Sequence, residues 1–267
     1  CGVSVNVAAD IAADKQSVRV ACDDVPGAAG YEVLFVNGSD GWLNFSSSSA
    51  VSVGGSSSWT DTSPGAERYY RIRLLDGGDS CVANGTAGTL ALNISPEYNL
   101  VSTPFVHEDA SVPAVLRSID GNYSSVFEFD NQEKNYEYYI IVSGSVFKTF
   151  NTIQPGKGYW IETNTNETLR LAGRTVSSVL ENISADYNLL GFPVIDDDAG
   201  DDSVEHVLSS IDGNYSSVFE FDNQEKNYEY YIIVSGSVFK TFNTIQPGKG
   251  YWIETNTNET LRYENDG

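Results

Sequence analysis

Carboxylates are the most conspicuous reactive groups in this chain. Asp196, Asp197, Asp198, Asp201 and Asp202 crowd together, and Ca2+ takes about six to eight oxygen ligands of this kind. The run departs from the calcium-loop pattern D-x-[DN]-x-[DN]-G-x5-E, because Gly200 stands at the fifth position and Val207 at the twelfth. It reads as an acidic linker, with Ca2+ as the weaker alternative and no other cofactor. Glu128, Asp130 and Glu133, with Glu220, Asp222 and Glu225, have the spacing of general acid and base pairs. They flank a polar turn, where solvated carboxylates are ordinary. His107 and His206 are the two histidines, and neither is marked by a neighbouring nucleophile and acid as a triad member. Both read as surface residues. Trp160 and Trp252, beside Tyr159 and Tyr251, offer rings that could stack on cell-surface glycans. Alternation along a strand turns at least one ring of each pair into the core. No set of residues reads as catalytic, so the expectation is a protein that is not an enzyme.

Modification chemistry is better represented. N-x-S/T sequons begin at Asn37, Asn44, Asn84, Asn93, Asn122, Asn166, Asn182, Asn214 and Asn258, which together fit a glycosylated exported protein. Cys1, Cys22 and Cys81 have no CxxC spacing, so zinc and haem are not indicated. An odd count in an exported chain predicts one disulfide and one cysteine left over. A chain that starts Cys-Gly and has no methionine reads as processed, and lipid attachment is one fate for Cys1. The net charge of −22 argues against nucleic acid, which needs a basic face. No apolar run is long enough for a transmembrane helix.

The elements that position these residues are organised by a repeat. Ser118 to Arg170 recurs letter for letter from Ser210 to Arg262, 53 residues at an offset of 92. Upstream the match loosens to NISPEYNLVSTPF from Asn93 against NISADYNLLGFP from Asn182, at an offset of 89. Three domains follow: residues 1–90, then 91–175 and 176–267 as the two copies. Val, Ile, Tyr, Phe, Thr and Ser dominate, which favours strands.

In the first domain Val3, Val5 and Val7 alternate, as do Val18, Val20 and Cys22, then Tyr31, Val33 and Phe35, and Tyr70, Ile72 and Leu74. VPGAAGYEV, TDTSPGAERYYRIR and the DGG turn resemble a fibronectin type III domain. That resemblance implies an Ig-like β-sandwich serving as a spacer or interaction module, with Cys22 standing where such domains usually carry tryptophan. In such a sandwich all three cysteines lie near one end. Cys22–Cys81 is the preferred bridge with Cys1 left over. Cys1–Cys22 competes, because Val3/Val20 and Val5/Val18 pairing would place those two opposite each other.

Each repeat predicts a strand, a short helix at VPAVLRSI or VEHVLSSI with Pro113 in its first turn, and then further strands. The fold class is therefore mainly β: a sandwich followed by two β-rich α+β units with one short helix each. The segments Asn99–Pro104, Val115–Tyr123 and Pro155–Ile161, with Asn188–Pro193, Val207–Tyr215 and Pro247–Ile253, resemble a repeat module of archaeal and bacterial cell-surface proteins. The resemblance implies an extracellular, structural or adhesive role. YEYYIIV, strongly β-forming and with aromatics on both faces, is expected to recruit another chain if it lies on an open edge. The expected function is a secreted, glycosylated structural subunit of a filament, sheath or surface layer that assembles head to tail with copies of itself. The alternative is a lipid-anchored adhesin or carbohydrate-binding protein.

Overall fold

The computed structural model describes residues 6–38, 45, 48–76, 79–82, 85–176, 178–192 and 201–264. The chain is mainly β, with two short helices and several antiparallel sheets.

The first domain pairs β1 (Val7–Ile11), β2 (Val18–Cys22) and β5 (Ser58–Asp61) in one sheet. The facing sheet contains β3 (Gly30–Asn37), β4 (Ser49–Gly54), β6 (Glu67–Asp76), β7 (Asp79–Val82) and β8 (Ala87–Ile94). Val7, Ala9, Val18, Val20, Tyr31, Val33, Tyr70 and Ile72 fill the space between them, as period-two alternation requires. The tryptophan packed against this core comes from β5: Trp59 stacks on Phe35 at 6.3 Å and meets Tyr70 edge-on at 6.4 Å.

The expected disulfide does not form. The first hairpin pairs Val7 with Cys22, Ala9 with Val20 and Ile11 with Val18, six residues out of register from the expected Val3/Val20 pairing. Cys22 is a free thiol, while Cys81 is disulfide-bonded. Cys22–Cys81 and Cys1–Cys22 are therefore both corrected, and Cys1 lies outside the described residues. Burial, followed by the charges of Asp23 and Asp24, pushes the Cys22 thiol up to about 11.

Copy 1 continues with β9 (Glu97–Ser102), β10 (Phe105–Val106), α1 (Val112–Val115), β11 (Tyr123–Asp130), β12 (Asn135–Val142), β13 (Ser145–Lys148), β14 (Gly158–Thr163) and β15 (Glu167–Thr175). Copy 2 supplies β16 (Ser178–Ile183), β17 (Asp186–Gly191), α2 (Val204–Val207), β18 (Tyr215–Asp222), β19 (Asn227–Val234), β20 (Ser237–Lys240), β21 (Gly250–Thr255) and β22 (Glu259–Glu264). The five-stranded sheets run β13-β12-β11-β14-β9 and β17-β21-β18-β19-β20. Each helix is one turn followed by a 3-10 turn, and Pro113 sits in the first turn of α1. Val112, Val115, Leu116 and Ile119, with Val204, Val207, Leu208 and Ile211, plug one face of each sheet.

The first domain and copy 1 are fused. Strand β15 extends the sandwich sheet by pairing along β8 from Ile94↔Glu167 to Ala87↔Arg174, so the expected boundary at residue 90 falls inside a shared strand. In copy 2 the matching strands β16 and β22 pair in the same register, Ile183↔Glu259 onward, but as a two-stranded ribbon.

Candidate functional site: paired sheets and twin aromatic clefts

Strand β11 turns Val126 inward and Phe127 and Phe129 outward. Cross-strand register then sets rows on the outer face. Phe127 lies beside Trp160 and Tyr138, Phe129 beside Tyr136, Trp160 beside Leu100, and Glu162 beside Tyr98. Copy 2 repeats the rows with Phe219, Trp252, Tyr230, Phe221, Tyr228, Leu189, Glu254 and Tyr187. Tyr159 and Tyr251 take the opposite, buried face. The Trp-Tyr pairs thus divide as alternation predicts, one ring in the core and one outside.

The two outer faces meet through the NQEKN turns, and they do so reciprocally. The Asn223 carboxamide accepts from Leu100 N–H at 2.7 Å and donates to Leu100 C=O at 3.1 Å. Asn131 does the same to Leu189, at 2.8 and 3.3 Å. Lys226 Nζ donates to the Tyr98 carbonyl at 2.8 Å, and Lys134 Nζ to that of Tyr187 at 2.7 Å. Ser95 and Ser184 hydroxyls donate to the Asn223 and Asn131 carbonyls, each at 2.6 Å. Each of these contacts has its twin, so the copies pack as a nearly isologous pair. Strands β9 and β17 are sheet edges, and an asparagine amide matches the donor and acceptor that each would otherwise leave open. The polar turn, with Glu133 and Glu225 exposed as expected, is thus also the clasp between copies.

The clasp also carries rings across. Trp160 meets Phe221 at 5.0 Å and Trp252 meets Phe129 at 4.9 Å, both with planes at 71°. Each such pair adds roughly 0.5–1.5 kcal/mol beyond burial. The result is two clefts. Tyr98, Phe127, Tyr136, Trp160 and Phe221 line one of about 460 Å3. Tyr187, Phe219, Tyr228, Trp252 and Phe129 line the other, of about 490 Å3. One wall of each comes from the other copy. Burial raises the Tyr136 and Tyr228 hydroxyls above their ordinary range, while indole donors from Trp160 and Trp252 oppose the rise.

Strand YEYYIIV does not lie on an edge, because β13 and β20 cover β12 and β19. A two-residue turn at Ser143 (φ +50°) and Gly144 (φ +79°) folds SVFK back. Among the described residues the open edges of the two five-stranded sheets are therefore β13 and β20. They are exposed along their length, with Phe147 and Phe239 each 56 % exposed.

The remaining sequence candidates have structural roles or are not brought together. Glu128 is buried and pairs with Lys157, and Glu220 is buried and pairs with Lys249 at 2.8 Å. Asp130 accepts the Gln132 and Glu133 N–H groups, and Asp222 those of Gln224 and Glu225. His107 is a correction to the surface expectation. Its Nδ1 donates to Ala172 C=O and its Nε2 accepts from the Thr103 hydroxyl, both at 2.8 Å. Burial drops its pKa to about 4. His206 is exposed on α2. Asp196, Asp197 and Asp198 lie outside the described residues; Asp201 accepts the Ser203 N–H at 2.9 Å. Among the described residues no cluster suits a metal. Asn37, Asn93, Asn122, Asn166, Asn182 and Asn258 are exposed and Asn214 is half-buried, while Asn44 and Asn84 lie outside the described residues. No helix among the described residues is long and apolar enough to cross a membrane. Tyr98 and Phe221, with Tyr187 and Phe129, were not singled out by the sequence as cleft residues. Their signal was only alternation with Leu100, Phe219, Leu189 and Phe127.

No protein-family model and no curated protein matches the chain. Among solved structures, the crystal structure of chicken CNTN1 FN1-FN3 domains is similar at 9 % identity with a TM-score of 0.21, covering 99 % of this chain and 98 % of that one. A TM-score that low assigns the chain neither fold nor function.

Proposed function

We propose that this chain is a non-catalytic structural subunit of an extracellular filament, sheath or surface layer, glycosylated at its exposed sequons, and joined to further copies of itself through strands β13 and β20. The observation that carries the reading is the asymmetry of the sheet edges. One edge of each five-stranded sheet is capped by an asparagine of the other copy. The other edge is open, apolar and identical in sequence in both copies. Two equal edges, each the strand farthest from the joint, pair most simply with edges of two different neighbours, and contacts of that kind extend rather than close.

The edge geometry supplies the test. Thr149 N–H donates to Tyr138 C=O, so antiparallel alternation places Phe147 and Ser145 on the paired side and points Val146 N–H at the open edge. Proline at Val146 or Val238 then removes an edge donor without breaking the ladder. Sedimentation and negative-stain microscopy over rising concentration should show growing assemblies for the unaltered protein. Val146→Pro should stop growth at dimers through β20, and Val146→Pro with Val238→Pro should leave monomers. Persistent monomers of the unaltered protein at high concentration would refute the reading.

A further inference from the structure

The aromatic clefts are a second feature, independent of the edges. Each is complete only because the copies pair, and the nature of the lining limits what can fill them. In the first cleft the polar side-chain atoms are the Tyr98 and Tyr136 hydroxyls and the Trp160 indole N–H. A sugar carries a hydroxyl on most of its carbons, and hydroxyls stripped of water without partners oppose binding. An anion would meet the negative faces of the rings and a chain of net charge −22. A weakly hydrated organic cation meets neither obstacle, because it is drawn to ring faces and needs no hydrogen bonds.

Geometry agrees with charge. Tyr98 and Trp160 stand at 88°, Phe127 and Tyr136 at 82°, Trp160 and Phe221 at 71°, so the rings form walls rather than one flat platform. A carboxylate is fixed beside them. Glu162 lies across from Tyr98 on the same face, with Oε2 accepting from the Ser124 and Ser125 hydroxyls at 2.8 and 2.7 Å. Glu254 lies across from Tyr187 and accepts from Ser217 at 2.6 Å. We propose that each cleft binds a quaternary ammonium group of the trimethylammonium type. The rings enclose the methyl groups, and Glu162 or Glu254 supplies the neighbouring negative charge. The chain thus carries two equivalent sites.

Calorimetry and tryptophan fluorescence on the full chain test this with choline, its uncharged isostere 3,3-dimethylbutan-1-ol, and cellobiose as probes. Choline should saturate two sites, with the isostere weaker by about tenfold or more and cellobiose without effect. Tyr98→Ala should remove one site, and Tyr98→Ala with Tyr187→Ala both. Each ring is almost half exposed, 46 % and 45 %, and circular dichroism checks that the fold survives. Glu162→Gln should weaken one site several-fold while keeping the hydrogen bonds from serine. Equal affinity for choline and its isostere would overturn the proposal in favour of a merely apolar site. Saturation by cellobiose alone would overturn it in favour of a sugar platform. Choline binding untouched by the tyrosine variants, or no binding of choline, would also overturn it.

Discussion

The two copies share 53 identical residues and yet are held in different ways. In copy 1, β15 lies on β8 of the sandwich, and the core around Val126 and Ile161 runs on into Val36, Tyr69 and Leu90 of the first domain. Arg117 reaches the Ile11 carbonyl at 3.2 Å, and Lys15 the Asp120 carbonyl at 2.9 Å. In copy 2, β22 pairs among the described residues with β16 and no other strand, and the core from Ile183 to Tyr263 is its own. Where Arg117 stands, copy 2 has Ser209. Between the copies, by contrast, almost everything is matched. One departure lies where Gly156 packs on Glu181 while Gly248 packs on Leu90 and Leu92; burial raises the Glu181 carboxyl, partly offset by Lys157. The same residues can be welded into a larger sheet or closed as a separate unit, and their neighbours decide which.

The largest effect is expected from the identical leucines Leu169 and Leu261, both fully buried. Truncating either to alanine should cost about 2–5 kcal/mol, but with different consequences. Leu169→Ala should lower the unfolding midpoint of the first domain and copy 1 together. Leu261→Ala should split off copy 2 as a separate transition at lower denaturant. Urea melts followed by fluorescence and circular dichroism distinguish them, and identical single transitions for the two variants would erase the contrast.

An intermediate effect tests the reciprocity of the clasp. Asn131→Ala and Asn223→Ala each leave a backbone N–H and C=O without their amide partner, at a cost of about 1–3 kcal/mol. The two variants should lose similar amounts of stability by urea midpoint, and a marked inequality would show that the twin contacts are not equivalent in energy.

A third effect, of the same order, belongs to the weld alone. His107 is held neutral between Ala172 and Thr103, with its pKa dropped to about 4. The unfolded imidazole titrates near 6.5, so between those values the unfolded chain binds the extra proton. Stability from this group is full above about pH 6.5 and declines as pH falls toward 4. The transition containing copy 1 should shift to lower urea between pH 7 and pH 4.5, more than that of copy 2, and His107→Gln should reduce the difference.

How far these features were legible differs residue by residue. Alternation put aromatics on both faces of YEYYIIV, because strand period is local, but only the structure turns Tyr139 inside and Tyr136 and Tyr138 outside. The helix was visible in the spacing of Val112, Val115, Leu116 and Ile119, though it is a single turn completed by a 3-10 turn. The Cys1–Cys22 expectation failed because a hairpin slipped by six residues keeps much the same alternation while moving every partner, so that Cys22 faces Val7. Whether YEYYIIV would be an edge was not legible, and it is not one, because the Ser143-Gly144 turn adds a short strand outside it. Asn131 and Asn223 looked like turn residues, and nothing local distinguishes a turn amide from one that caps a strand on another sheet.

The amino-acid sequence by itself determined that the chain is mainly β, that it holds one unit twice, and which face of each strand is apolar, since these follow from composition, identity and a two-residue period. Tertiary structure alone decided that β8 would be shared, that β9 and β17 would be capped while β13 and β20 stay open, and that Phe221 and Phe129 would each complete a cleft on the other copy. Those outcomes depend on how one sheet is placed against another, and that placement is a sum of contacts between residues far apart in the chain, which no local pattern records.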